Sequence, residues 1–295
     1  MTSTDRNRLL SSLAMAEFVA TGMTRLDAVV SDELNQRALA QLDRGVAPFP
    51  YGTPLPDVHP AGTALGDIVR LPDVAGTIQS LVGPNPMSDH HYVHIRPPRQ
   101  GEAQLLHADA VIDERIDAFD VQMMYFPEAV GADAGGTLVV PGTHFRRVSH
   151  MDVGRYQNMA GQVRLQCPAG SVLFLHHAIW HAGRRNDSDR RRVMYKLRLN
   201  PTVRQLRLWN IDDIDDPAVT ATLLREPVWA GNDGRMEQVN RARMWRYLTG
   251  DDEFDLDYYL TRNVLRPQVV SPDGTDERVA RAARGAGFGV VAVPS

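Results

Sequence analysis

The sequence predicts a mainly β protein, a sandwich or barrel with helices packed at both ends. Three observations predict it. Short apolar or alternating runs crowd the stretch between residues 91 and 199. Turn formers separate those runs: Pro97-Pro98-Arg99-Gln100-Gly101, Gly135-Gly136, Pro141-Gly142 and Pro168-Ala169-Gly170. Helical patterning is confined to the segments before and after. Many short strands with frequent turn signals are the pattern of a sandwich or barrel.

In chain order, the first 45 residues read as helical, with an apolar stripe of Leu9, Leu10, Leu13 and Phe18. A second helix begins after Ser31, a hydroxyl able to cap it, with Asp32 and Glu33 in its first turn. Gly45 ends it. Residues 46–62 hold five prolines and read as an extended connection. Strands are expected over 91–96, 104–109, 120–126, 137–140, 171–175 and 192–199. The strand after Gly170 is expected to end near His176, with His181 opening the loop that runs to Ser188. From about residue 205 helical patterns return. Met236, Val239, Met244 and Leu248 lie at near-helical spacing, and Gly250 closes that helix. The last 25 residues, rich in Arg, Ala and Gly, read as loosely packed. Without repeats or an evident linker, residues 1–295 read as one domain: N-terminal helices over 1–62, a β core over 91–200 and a helical extension over 205–295.

Composition narrows the function classes. Hydrophobic residues make up 43% and charged residues 23%, as in an ordinary globular chain. The net charge of −4 argues against a nucleic-acid partner. Lys196 is the only lysine, so nearly all positive charge is arginine, scattered among acids. Cys167 is the only cysteine, which excludes an intrachain disulfide. No apolar run approaches the ~20 residues that span a bilayer, and the N-terminus lacks a leader pattern. A cytoplasmic protein with no membrane partner is expected.

The chemistry-bearing residues lie in the β stretch. His107 and Asp109 are one residue apart, which on a strand places both side chains on one face. His181 can complete a facial set of two imidazoles and one carboxylate. That set holds Fe(II) and leaves the opposite positions open for a cosubstrate and O2. Arg192 follows His181 by eleven residues and offers two parallel donors to a carboxylate. Arg190 and Arg191 compete for that role. The alternating strand puts Arg192, Met194, Lys196 and Arg198 on one face, opposite Val193, Tyr195, Leu197 and Leu199. The plainer reading, a hydrogen-bonded His107–Asp109 pair, accounts for neither His181 nor the arginine. Two other clusters compete as well. His90, His91 and His94 mimic a zinc site, but on a strand they diverge. His176 and His177 neighbour His181.

Longer motifs carry a resemblance. Gly135-Gly136-Thr137-Leu138-Val139-Val140-Pro141-Gly142-Thr143-His144 resembles the Gly-x-Leu…Pro-Gly-Thr-His segment of the phytanoyl-CoA dioxygenase-like family. Gly170-Ser171-Val172-Leu173-Phe174-Leu175-His176, followed by Trp180-His181 and Asn186, resembles its distal histidine segment. The likeness includes the helices between Phe18 and Leu42 and spans roughly residues 10 to 200. It implies a double-stranded β-helix (jelly roll, cupin-like) core and a non-haem Fe(II)- and 2-oxoglutarate-dependent dioxygenase using O2. It implies His107, Asp109 and His181 as iron ligands and Arg192 as partner of the cosubstrate's C5 carboxylate. Many members carry a serine two residues after the distal histidine, where this chain has Gly183. Thr137, Gln104 and Gln122 are the candidates to help Arg192. Because Asp109 is retained, halogenation is not expected.

The expected reaction is hydroxylation or a related oxidation of a small-molecule metabolite, with release of succinate and CO2. A cupin-like metal isomerase or hydrolase that ignores 2-oxoglutarate, and a non-catalytic binding relative, are the alternatives. Residues 205–262 gather Trp209, Trp229, Trp245, Tyr258 and Tyr259 beside the acidic run Asp251-Asp252-Glu253-Phe254-Asp255. They read as a buttress for the β core, with a lid or a homodimer interface as the other options.

Overall fold

The computed structural model describes residues 7–109, 118–146 and 158–256. The expected sandwich of antiparallel sheets with flanking helices is present. The larger sheet has the order β1-β7-β4-β9-β3-β2 and the smaller the order β6-β5-β8. Their strands are β1 (Met23–Leu26), β2 (Thr53–Pro54), β3 (Met87–Arg96), β4 (Val121–Phe126), β5 (Thr137–Val140), β6 (Val163–Arg164), β7 (Ser171–His176), β8 (Trp180–Gly183) and β9 (Arg192–Asn200).

Period-two alternation assigns the two faces of the large sheet. Val121, Met123 and Tyr125 of β4, Val172 and Phe174 of β7, and Val193, Tyr195, Leu197 and Leu199 of β9 face the helices and form the main core. Met124 and Phe126, Leu173 and Leu175, and Met194 face the small sheet. Arg192 and Lys196 share the Met194 face, as the alternation of β9 predicts.

The helices are α1 (Ser12–Thr21), α2 (Asp32–Arg44), α3 (Leu55–Val58), α4 (Ala64–Val69), α5 (Pro72–Val82), α6 (Pro217–Leu224) and α7 (Asn232–Thr249). Ser31 caps α2 by accepting the Leu34 N–H, and Gly45 ends it, as read from the sequence. Gly250, in the left-handed region, closes α7.

Several expectations are corrected. The core face of α1 is Met15, Phe18 and Val19, while Leu13 is exposed. The helical reading to residue 45 is interrupted by β1. Gly22, at φ 77°, ends α1 by donating its N–H to the Phe18 carbonyl, and the chain turns to pair with β7. The proline-rich connection holds the short β2 and the single turn α3. Helices α4 and α5 have no counterpart in the sequence reading; Thr63 caps α4, and Pro72 sits in the first turn of α5. Segment 104–109 is not a regular strand: it meets β8 of the small sheet through an isolated bridge at His107 and a backbone bond from the Gln104 N–H to the Gly183 carbonyl. His181 lies inside β8, not in a loop. That strand is only four residues long and follows a tight turn, so no alternation could reveal it. The last 25 residues, Tyr258 and Tyr259 lie outside the described residues.

The helical extension packs on the core. Trp209, Val219, Leu223, Met244, Trp245 and Leu248 belong to the main cluster. Trp229 instead meets Trp180 edge-on at 5.5 Å on the small sheet. No helix among the described residues is long and apolar enough to cross a membrane.

Candidate metal centre

The centre is assembled by one short antiparallel contact. The His107 N–H donates to the His181 carbonyl at 3.0 Å, and the His181 N–H returns a bond of 2.8 Å to His107. This reciprocal pair places the two side chains side by side, with ring centroids 4.6 Å apart. Asp109, two residues on, falls on the same face. Asp109 Oδ1 lies 3.5 Å from His107 Nε2 and 3.9 Å from His181 Nε2. One donor atom from each residue fits within a cluster 4.8 Å across, and this is the only such group of His, Cys, Asp or Glu among the described residues.

Backbone carbonyls orient both imidazoles. His107 Nδ1 lies 2.7 Å from the Leu105 carbonyl, and His181 Nδ1 lies 3.0 Å from that of Ile179. A carbonyl only accepts, so each Nδ1 carries a proton, and each Nε2 is the nitrogen that faces the Asp109 oxygen, from which a metal would be ligated. A proton on Nδ1 is the tautomer that ligation through Nε2 requires.

The charges fit a cation. Burial opposes ionisation of Asp109, but the His107 hydrogen bond and the charges of His181 and Lys196 outweigh it and hold the carboxyl far below its ordinary range. Burial pulls His181 down to about 4, against the pull of Asp109. Burial also acts to lower His107, yet its bonds to Asp109 and Leu105 prevail and raise it.

A cleft opens beside these residues. Its near end is formed by His107, His181 and Lys196, and its far end by Arg192, Arg96, Thr137, Gly183 and Gln104. Met124 stands beside Lys196, and the paired Met194 and His94 line the stretch between. Strand register explains the far end: Arg96 of β3 pairs with Arg192 of β9, and Thr137 of β5 with Gly183 of β8. Burial and then the Arg96 charge lower Arg192 to about 10, which still leaves it cationic at neutral pH. Its guanidinium also donates to the Gly135 carbonyl. Gly135 has φ +64°, and a Cβ there would sit 1.7 Å from the Arg185 carbonyl oxygen, so only glycine fits. Of the three consecutive arginines, Arg192 is buried in the cleft, whereas Arg190 pairs with Glu128 and Arg191 with Asp43 at the surface.

The glycine at 183 has a local cause. Gln104 Oε1 accepts the Gly183 N–H at 2.8 Å, and a Cβ at 183 would lie 2.8 Å from that oxygen and 3.3 Å from Arg96 Nη2. The side-chain ends of Gln104 and Arg96 occupy the space beside Gly183 and would have to shift for a side chain there. Gln122 is not brought to the cleft. It sits on β4 opposite Arg198, fully buried, with neither amide atom hydrogen-bonded.

Three residues escaped the sequence reading as site residues: Arg96, His94 and Lys196. The alternation of His94 and Arg96 along β3 was the available signal, but it needed the β3–β9 register. Of the competing histidines, His94 lines the cleft, whereas His91 and His176 lie on the other side of the sheet. His91 Nδ1 lies 3.1 Å from the Tyr195 hydroxyl on the helix side, and His176 packs there against Phe18 and Phe119.

Comparison with known proteins agrees with this fold. The family model described as phytanoyl-CoA dioxygenase (PhyH) matches residues 19–194. A carbocyclase of nogalamycin biosynthesis, SnoK, described as non-heme and alpha ketoglutarate dependent, superposes with a TM-score of 0.50. It is 17% identical, over 65% of this chain and 84% of that one. HygX from Streptomyces hygroscopicus, with nickel and 2-oxoglutarate bound, gives a TM-score of 0.51 at 16% identity, over 66% of this chain and 88% of that one. An uncharacterized protein of Mycobacterium tuberculosis, Rv1501, is 36% identical over 75 residues, which is 25% of this chain and 26% of that protein. The match therefore spans about a quarter of that relative's length. With the family model covering more than half of the sequence, from α1 to the middle of β9, this chain belongs to the phytanoyl-CoA dioxygenase (PhyH) family of Fe/2-oxoglutarate-dependent oxygenases.

Proposed function

We propose that this chain is a non-haem Fe(II)- and 2-oxoglutarate-dependent dioxygenase. It would hydroxylate or otherwise oxidise a small-molecule metabolite, releasing succinate and CO2. One observation carries the reading: two imidazole Nε2 atoms and one carboxylate oxygen converge at one end of a cleft whose other end is cationic.

The residues fit the ion. Two neutral imidazoles with fixed tautomers and one ionised carboxylate are the donor set of a facial iron site, so His107, Asp109 and His181 would hold it. Bound there, Fe(II) supplies the O2 chemistry that no side chain can perform. The protein does the rest. Arg192, with Arg96 beside it, would take the far carboxylate of 2-oxoglutarate. A guanidinium fixes both the charge and the orientation of a carboxylate. Thr137 would add a hydroxyl, and Gln104 holds Gly183 out of the way. Met124 and Met194 give the cleft apolar wall, which would exclude water from the bound chain. The charge balance and the cleft suit a small molecule.

The reading is tested by incubating the full chain with Fe(II), O2 and 2-oxoglutarate, without a prime substrate, and measuring succinate. Slow, iron-dependent succinate formation is expected. Tight metal binding with no succinate would favour a cupin-like isomerase or hydrolase instead. A screen of metabolites for a mass gain of one oxygen then addresses the substrate.

A further inference from the structure

The single lysine of this sequence stands at the candidate centre. Lys196 is buried on the inner face of β9, and its Nζ donates to Asp109 Oδ2 at 2.6 Å. The two oxygens of that carboxylate are thereby divided: Oδ2 meets the ammonium, and Oδ1 faces the two imidazoles. Register holds the lysine in place, since Lys196 pairs with Tyr92 on one side and Met124 on the other. Its ammonium also lies 5.9 Å from the centroid of the Tyr92 ring.

We propose that Lys196 is a positioning residue for the metal ligand Asp109, tying back one carboxylate oxygen so that the other alone is presented to the ion. The inference rests on the metal-site reading above and extends it. The residue type fits the task. A guanidinium is a fork that engages both oxygens of a carboxylate and would draw Oδ1 away from the ion. An ammonium is a point charge that binds one oxygen. Every other basic side chain here is arginine, so the exception falls where a fork would do harm. Single-oxygen ligation by Asp109 leaves the remaining coordination positions to cosubstrate and O2.

Simple electrostatics makes the opposite forecast, because removing a cation next to a metal site should tighten metal binding. The test is Mn(II) binding to the full-length protein by equilibrium dialysis, comparing wild type with Lys196→Met, Lys196→Gln and Lys196→Arg. A positioning role predicts that Lys196→Met weakens binding about 10- to 100-fold, the usual loss on removing a group that orients a ligand. Lys196→Gln should recover most of that loss, because its neutral amide still donates to Oδ2. Lys196→Arg should bind more weakly than wild type despite its charge. Thermal melts without metal identify any variant that fails to fold, and the folded ones decide. Wild-type affinity or tighter in Lys196→Met, or equal weakening in Lys196→Met and Lys196→Gln, overturns the inference alone. A wild type that binds no Mn(II) overturns the metal-site reading, and the inference with it.

Discussion

At the scale of single residues, the arginines of the cleft give the sharpest expectation. Arg192→Ala should raise the 2-oxoglutarate concentration needed for half-maximal turnover while leaving the prime-substrate requirement nearly unchanged. A lost charge-assisted bidentate contact costs about 2–4 kcal/mol, or roughly thirty- to several-hundred-fold. Arg96→Ala should act in the same direction. Arg190→Ala should behave as wild type, because that side chain lies at the surface against Glu128. Steady-state titration of 2-oxoglutarate checks all three, and impairment of the Arg190 variant alone would contradict the register of β9. Much of this was legible in the sequence. The His107–Asp109 spacing is a local pattern that pairs those two residues, and the alternation of β9 groups Arg192 with Met194 and Lys196, but the choice of Arg192 over Arg190 and Arg191 rests on the family resemblance. Arg96 was not legible, because its nearness to Arg192 comes from the pairing of β3 with β9, which joins residues far apart in sequence. Gln122 shows the converse: it sits on the expected inner face, but alternation along β4 says nothing about how far along the sheet the cleft extends.

At the scale of elements, β8 and the C-terminal helices show where local patterns fail. β8 is a strand only because Val139 and Leu138 of β5 pair with His181 and Ala182. The extension is tied to the start of the chain. Both carboxylate oxygens of Asp213 accept backbone N–H groups at the first turn of α1, Ser12 at 2.7 Å and Leu13 at 3.1 Å. Burial works to raise the Asp213 pKa, yet these bonds leave it lowered. Asp213→Ala should therefore destabilise the protein by about 1 kcal/mol, the usual value of a helix N-terminal cap, read as a shift in the urea midpoint. The packing also bears on the lid question. None of the described residues of the extension lines the cleft, while six of its apolar side chains sit in the main core. Truncation before residue 205 should leave an unfolded chain by circular dichroism. A folded, iron-binding remnant that consumes 2-oxoglutarate without coupling would instead mark the segment as a lid.

At the scale of the whole molecule, buried neutral histidines set the acid limit of stability. Burial, followed by the charges of His91 and Arg70, lowers His59 to about 4. Burial lowers His144 to about 3, against the opposing bond to the Val19 carbonyl. In the unfolded chain both titrate near their ordinary value. The unfolded state thus takes up protons first as pH falls below that value. The stabilisation is complete above it and is lost on the way down to the folded values. Between pH 7.5 and 5.5 each histidine should remove about 1.4 kcal/mol of unfolding free energy. His144→Gln should flatten that dependence by one histidine's share. Urea unfolding at the two pH values measures it, and a stability that holds or rises toward pH 5.5 would contradict it.

The central claim is that His107, Asp109 and His181 together form one iron site that turns over 2-oxoglutarate. Its most direct test is anaerobic dialysis of wild type, His107→Ala and Asp109→Ala against Fe(II), followed by addition of O2 and 2-oxoglutarate. The account predicts one iron per wild-type chain and iron-dependent succinate. It also predicts neither tight iron binding nor succinate in the two variants, with their melting curves retained. Full iron occupancy and undiminished succinate in either variant would contradict it.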